Sequence, residues 1–158
     1  TIYENAFSLE NSDLVFENNS IYLSNNKNEF FSIDARTGTI RWAQSINSSL
    51  RPTIIENLIF TVSNEGYLFI IDDLTGNIIR ITDVLKNFKD RLDIKPIGFI
   101  HSKNKVYVSL SNGKLVTINS STGIQETITK ISNSKISRPY ILNNSMYLIK
   151  DNALAKIE

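Results

Sequence analysis

Phe30-Phe31-Ser32-Ile33-Asp34-Ala35-Arg36-Thr37-Gly38-Thr39-Ile40-Arg41-Trp42 decides how this chain folds, because its layout returns downstream. Tyr67-Leu68-Phe69-Ile70-Ile71-Asp72 is followed by Thr75-Gly76, and Lys114-Leu115-Val116-Thr117-Ile118-Asn119 by Thr122-Gly123. Ahead of each copy lies an apolar pair ending in an aromatic, within Ile21-Tyr22-Leu23, Ile59-Phe60-Thr61 and Val106-Tyr107-Val108. The aromatic precedes its glycine by 16 residues in all three copies. A fourth copy runs Met146-Tyr147-Leu148 and Leu154-Ala155-Lys156-Ile157, with Glu158 at the acidic position. Self-similarity at a fixed period is the mark of a repeat architecture.

Working outward, Pro52, Pro96 and Pro139 each lead a short apolar stretch before the aromatic, and Ser8 to Phe16 fills that place in the first copy. Each unit therefore holds four short strands in about 40 residues, joined by turns rich in Asn, Gly and Ser. The Asp34 carboxylate can accept backbone N–H bonds across its turn, while Gly38 takes the positive φ that reverses the chain. Gly66 and Gly113 supply a similar position between the second and third strands, and an asparagine within 25–28 replaces glycine in the first copy. One four-stranded sheet cannot bury both faces alone, but sheets packed around an axis can. The chain is expected to be all-β: a β-propeller of four-stranded antiparallel blades over 8–46, 51–83, 96–131 and 139–158, forming one domain, with 1–7 a candidate closing outer strand. Four blades are half of a seven- or eight-bladed ring, or one partner in a 4+4 dimer.

Ser32 to Trp42 resembles the tryptophan-docking repeat of PQQ-like (quinoprotein-type) β-propellers, Ala-x-Asp-x-x-Thr-Gly-x-x-x-Trp, departing only at Ser32. Asp72, Thr75 and Gly76 match with Arg80 at the Trp position; Asn119, Thr122 and Gly123 match more loosely with Thr127 there. The family includes quinoprotein dehydrogenases and the BamB-like lipoprotein of the bacterial outer-membrane β-barrel assembly machinery. The resemblance implies that Trp42 is a structural plug between blades.

The resemblance also says what an enzyme would need. A quinoprotein dehydrogenase carries a calcium site of Glu, Asn and Asp near the axis, usually with a cysteine pair over its cofactor. This chain of 158 residues has no cysteine, which excludes that pair, disulfides, thiolate metal sites and cysteine nucleophiles. Asp34 and Asp72 recur at turn positions, which points to turn-capping rather than catalysis. His101 is the single histidine, and no Ser/His/Asp arrangement, EF-hand spacing or phosphate-cradling glycine loop appears. No catalytic residue, PQQ or calcium is therefore expected.

Charge narrows the partners. Seventeen basic and 16 acidic side chains leave a formal net charge of +1, which offers no electrostatic reason for nucleic acid. No apolar run approaches the roughly 18 residues of a membrane span. The segment Asp83 to Leu92 departs from the repeat, because Gly76 and Pro96 stand 20 residues apart against 14 and 16 elsewhere. Val84, Leu85, Phe88 and Leu92 fall at helical spacing, so a short amphipathic turn or helix is expected. Leu85, Lys86, Phe88, Lys89 and Arg91 are the candidate partner contacts, since insertions in repeat proteins often decorate a binding face.

These readings converge on a non-catalytic scaffold for protein partners, in the bacterial periplasm or at the outer membrane as the resemblance implies. The alternative is a degenerate quinoprotein-type or sugar-binding propeller with a small ligand near the axis. Thr1 to Phe7 could close a ring within the chain, or two copies could complete an eight-bladed ring, or the blades could continue in a longer chain.

Overall fold

Alternating apolar and polar side chains over five or six residues, bounded by Asn, Asp and Gly, favour short strands that share hydrogen bonds with their chain neighbours. A computed structural model describes residues 8–157 and arranges them in this way. The first sheet is β1 (Val15–Glu17), β2 (Ser20–Asn25), β3 (Glu29–Asp34) and β4 (Ile40–Gln44), paired in that order. The second is β5 (Thr53–Ile55), β6 (Leu58–Val62), β7 (Tyr67–Asp72) and β8 (Ile78–Asp83). The third is β9 (Pro96–Ser102), β10 (Lys105–Leu110), β11 (Lys114–Asn119) and β12 (Gln125–Lys130). The fourth has three described strands, β13 (Tyr140–Leu142), β14 (Ser145–Lys150) and β15 (Ala153–Ile157). Residues 1–7, the candidate closing strand, lie outside the described residues, as does Glu158.

Register fixes which side chains meet the next sheet. Val15, Tyr22, Ser32 and Trp42 form one cross-strand row in the first sheet. Thr53, Phe60, Ile70 and Arg80 form the same row in the second, and Tyr107, Thr117 and Thr127 in the third. The ladder shifts once beside that row in each of the three sheets, between Ser32 and Ile33, Ile70 and Ile71, and Thr117 and Ile118. Such bulges bend a strand and re-aim its side chains.

Because side chains alternate across a strand, each inner sheet has two buried faces. Tyr22, Phe30 and Ile46 pack against Ile59 and Ile71 between the first two sheets. Phe60, Val62, Leu68 and Ile70 pack against Phe99, Val106, Val108 and Ile118 between the second and third. Full burial of one such side chain stabilises the fold by about 1.5–3 kcal/mol.

The turns sort to two ends. At one end lie the Thr-Gly turns that join the third strand of a sheet to its fourth. At the other, the segments that lead into the sheets meet the turns between second and third strands: Asn26 N–H donates to Glu10 O (3.0 Å), Asn64 N–H to Asn47 O (2.8 Å) and Ser111 N–H to Lys95 O (2.9 Å). In the first sheet Asn28 holds φ at +61°, where the later sheets use Gly66 and Gly113. Among the described residues no helix is long and apolar enough to cross a membrane.

Candidate functional site

The recurring acidic residues work on their own turns. Asp34 Oδ1 accepts the N–H groups of Arg36 (3.0 Å) and Thr37 (2.9 Å) and the Thr37 hydroxyl (3.1 Å), while Oδ2 meets Arg41 Nη2 at 2.7 Å. Arg41, and then the Thr37 N–H, hold the Asp34 carboxyl far below the usual carboxylate range. Asp72 accepts both the N–H and the hydroxyl of Thr75 at 2.7 Å, and these bonds lower its pKa. Asn119 accepts the N–H groups of Ser121 and Thr122 at 3.0 Å. Gly38, Gly76 and Gly123 complete these turns at φ of +72°, +73° and +74°.

The turns at Gly76 and Gly123 are also docking seats for the preceding sheet. Trp42 Nε1 donates to Asp73 O at 2.8 Å, and Gln44 Nε2 donates to Gly76 O at 2.6 Å. The indole stands edge-on to Phe30, with centroids 5.7 Å apart, and the Tyr22 hydroxyl donates to the Asp73 carboxylate. One sheet further on, Arg80 Nη1 donates to Ser121 O (2.6 Å) and Ser120 O (3.1 Å), and its stem crosses Gly123. In sequence Arg80 is a departure from the repeat, yet in space it performs the same docking. The available signal was its position, four residues beyond Gly76 as Trp42 is beyond Gly38. Thr127 is too short to do so, and a crevice of about 320 Å³ opens between the third and fourth sheets beside Tyr107, Thr127, Met146 and Ile157.

The insertion corrects two expectations. Residues 84–90 form turns, closed by Phe88 N–H donating to Leu85 O at 2.9 Å, and only Arg91–Asp93 winds into a 3-10 turn. Leu92 is 93% exposed and shares no face with Val84 and Leu85. Leu85 is 1% exposed, its side chain pressed onto Gly66, so it belongs to the core and offers nothing to a partner. Phe88 is half-buried under the Lys114 ammonium, 5.0 Å from its ring centre. Arg91 is tied to Asp83 at 2.9 Å and lies over the Tyr67 ring, rather than standing outward. Lys86 and Lys89 remain exposed, leaving them as the two side chains of the set presented to solvent.

Among the described residues no group of three or more His, Asp or Glu stands close enough to hold a metal ion, and the Asp34 and Asp72 carboxylates face their own turns rather than a common centre. His101 packs against Phe60, ring centres 4.7 Å apart, and burial pushes its pKa down.

A family model described as outer membrane protein assembly factor BamB matches residues 4–82. No curated protein sequence matches the chain. BamB from Moraxella catarrhalis superimposes with a TM-score of 0.73 at 14% identity, covering 92% of this chain and 41% of that one. The computationally designed Ika4 protein gives a TM-score of 0.74 at 14% identity, over 91% of this chain and 88% of the design. Quinohemoprotein alcohol dehydrogenase from Comamonas testosteroni gives 0.62 at 16% identity, over 75% of this chain and 20% of that enzyme. At such identities the structural likenesses speak for the propeller fold alone. The chain spans about two fifths of the length of the Moraxella protein.

Proposed function

Because the chain belongs to the family of the outer membrane protein assembly factor BamB, we propose that it is a non-catalytic propeller scaffold that binds other proteins in bacterial outer-membrane protein assembly. One observation carries this reading: the recurrent polar residues are spent on holding the sheets. Asp34, Asp72 and Asn119 close turns, and Trp42 and Arg80 lock the first sheet onto the second and the second onto the third. A rigid frame results, and recognition falls to its loops, including exposed Lys86 and Lys89. The reading places the protein in the periplasm, at the outer membrane.

A second copy is a further proposed partner. Phe16 and Ile40 are exposed on the face of the first sheet that turns away from the second; Leu142, Ile149 and Leu154 are exposed on the corresponding free face of the fourth. These are the two kinds of face that pack together between the inner sheets, so two copies could bury both pairs in one ring.

The reading is tested by mixing the purified chain with an outer-membrane protein assembly complex stripped of its own propeller, and measuring mass by light scattering after size exclusion. A stable complex that contains the propeller is expected. Failure to associate, together with calcium-dependent PQQ binding and its absorbance change, would overturn the scaffold in favour of an axial small-ligand site.

A further inference from the structure

Three of the four sheets are entered through a cationic residue followed by proline: Arg51-Pro52, Lys95-Pro96 and Arg138-Pro139. Pro52 and Pro139 stand 8 residues before Phe60 and Tyr147; Leu14 stands 8 before Tyr22, so Asp13 takes the corresponding place in the first sheet. The repeat thus sets one charged residue at the start of each innermost strand, at the end where the connectors gather. The side chains of Asp13, Arg51 and Lys95 neither close a turn nor seat a sheet.

The fold gathers three of these four charged residues around one cavity. A cavity of about 240 Å³ is lined by residues within or leading into the innermost strands of all four sheets, among them Asp13, Arg51, Phe99 and Arg138. Arg138 is held there by specific packing. Its Nε donates to Phe99 O at 3.1 Å, and its guanidinium stands 5.8 Å from the Tyr140 ring centre. Gly98 makes this approach possible, because a Cβ at that position would lie 2.5 Å from the Arg138 Cβ. The ion pairs among the described residues use Arg41, Arg91 and Lys105, so Arg51, Lys95 and Arg138 each lack a carboxylate partner. Lys95 sits at the same end, its backbone bound to Ser111.

We propose that this axial vestibule binds an acidic segment of a partner protein, with Arg51 and Arg138 as the principal contacts. The inference rests on the scaffold reading and names the chemistry of its partner. Guanidinium groups pair with carboxylates through two parallel hydrogen bonds, which fixes orientation as well as adding affinity. Here the cations are carried on successive sheets around a shallow opening. An extended chain with several carboxylates offers each arginine a partner of its own. Asp13 marks the side of the opening from which the acidic segment is turned away.

The test uses a fluorescein-labelled peptide of alternating Glu and Ser, and the same peptide with Gln in place of Glu. Fluorescence anisotropy at low ionic strength is expected to show binding of the acidic peptide only, weakening as salt rises. The Arg51→Glu/Arg138→Glu protein is expected to bind at least roughly tenfold more weakly, while Lys103→Glu/Lys156→Glu, which changes exposed lysines that do not line the opening, binds as the wild type does. Should the charge-reversed protein fail to fold by circular dichroism, Arg51→Gln/Arg138→Gln must show the loss instead. Equal binding of both peptides, unchanged affinity in the arginine variants, or an equal loss in the lysine variant overturns the proposal. The assembly-complex assay separates the two readings. A complex that forms alongside failure of the peptide test removes the vestibule and keeps the scaffold; peptide binding as described without any complex does the reverse.

Discussion

Trp42 and Gly76 join the first two sheets through a contact that admits no side chain: a Cβ on Gly76 would lie 2.6 Å from the indole. Gly76 also holds φ at +73°, so Gly76→Ala meets both backbone strain and the ring. A loss of about 1–3 kcal/mol is expected. Trp42→Ala removes the plug itself and is expected to cost about 3 kcal/mol. Urea unfolding followed by circular dichroism checks both, and a variant of either kind as stable as wild type would contradict the docking account.

Arg80 replaces tryptophan at the next seat through hydrogen bonds to two carbonyls of the turn before Gly123. Arg80→Ala is expected to lose about 1–3 kcal/mol, as deleted hydrogen bonds from a charged group do. Arg80→Trp should recover much of that loss if the seat is generic. The two urea midpoints, compared in one buffer, decide the matter.

Asp34 makes the fold sensitive to acid. Its carboxyl titrates well below the ordinary value of 3.8 because Arg41 and the Thr37 N–H stabilise the anion. A depressed folded pKa contributes stability that is complete above the unfolded value and is lost as pH falls through the folded one. Asp34→Asn is therefore expected to be less stable than wild type by a constant margin near neutrality. That margin should shrink once pH drops below about 4. Unfolding midpoints measured from neutral to strongly acid pH would show it, and a margin independent of pH would refute it.

The insertion separates stability from recognition. Leu85→Ala empties a core position against Gly66 and is expected to destabilise by about 2–5 kcal/mol. Lys86→Glu/Lys89→Glu changes exposed residues and should leave stability within about 0.5 kcal/mol. If those lysines touch a partner, the double variant weakens the assembly complex without moving its thermal midpoint.

Closure by a second copy predicts a particle near twice the 17.9 kDa chain mass. Ile149→Glu, on the free face of the fourth sheet, should return that particle to one chain. A wild-type mass of one chain at all concentrations rules the second copy out.

The sheets and their turns were legible before any coordinates. Short runs rich in β-branched and aromatic residues at 67–72 and 114–119, and the repeated spacing from aromatic to Thr-Gly, determine strands and reversals through contacts a few residues long. The insertion was less legible. Val84, Leu85, Phe88 and Leu92 are spaced as on a helix, but the Val84 N–H bond to Gly66 O and the Arg91 pairing with Asp83 pull the segment into turns. Local periodicity cannot register such bonds to a neighbouring strand.

The sequence by itself determined the all-β repeat, the turn chemistry of Asp34, Asp72 and Asn119, and the absence of cysteine chemistry, because each depends on residue identity or on short spacing. Only the tertiary structure decided that Arg80 seats a sheet as Trp42 does, that Leu85 is core, and that Asp13, Arg51 and Arg138 share one opening. Asp13 and Arg138 lie 125 positions apart in the chain. The packing of four sheets side by side, driven by burial of their apolar faces, brings them together.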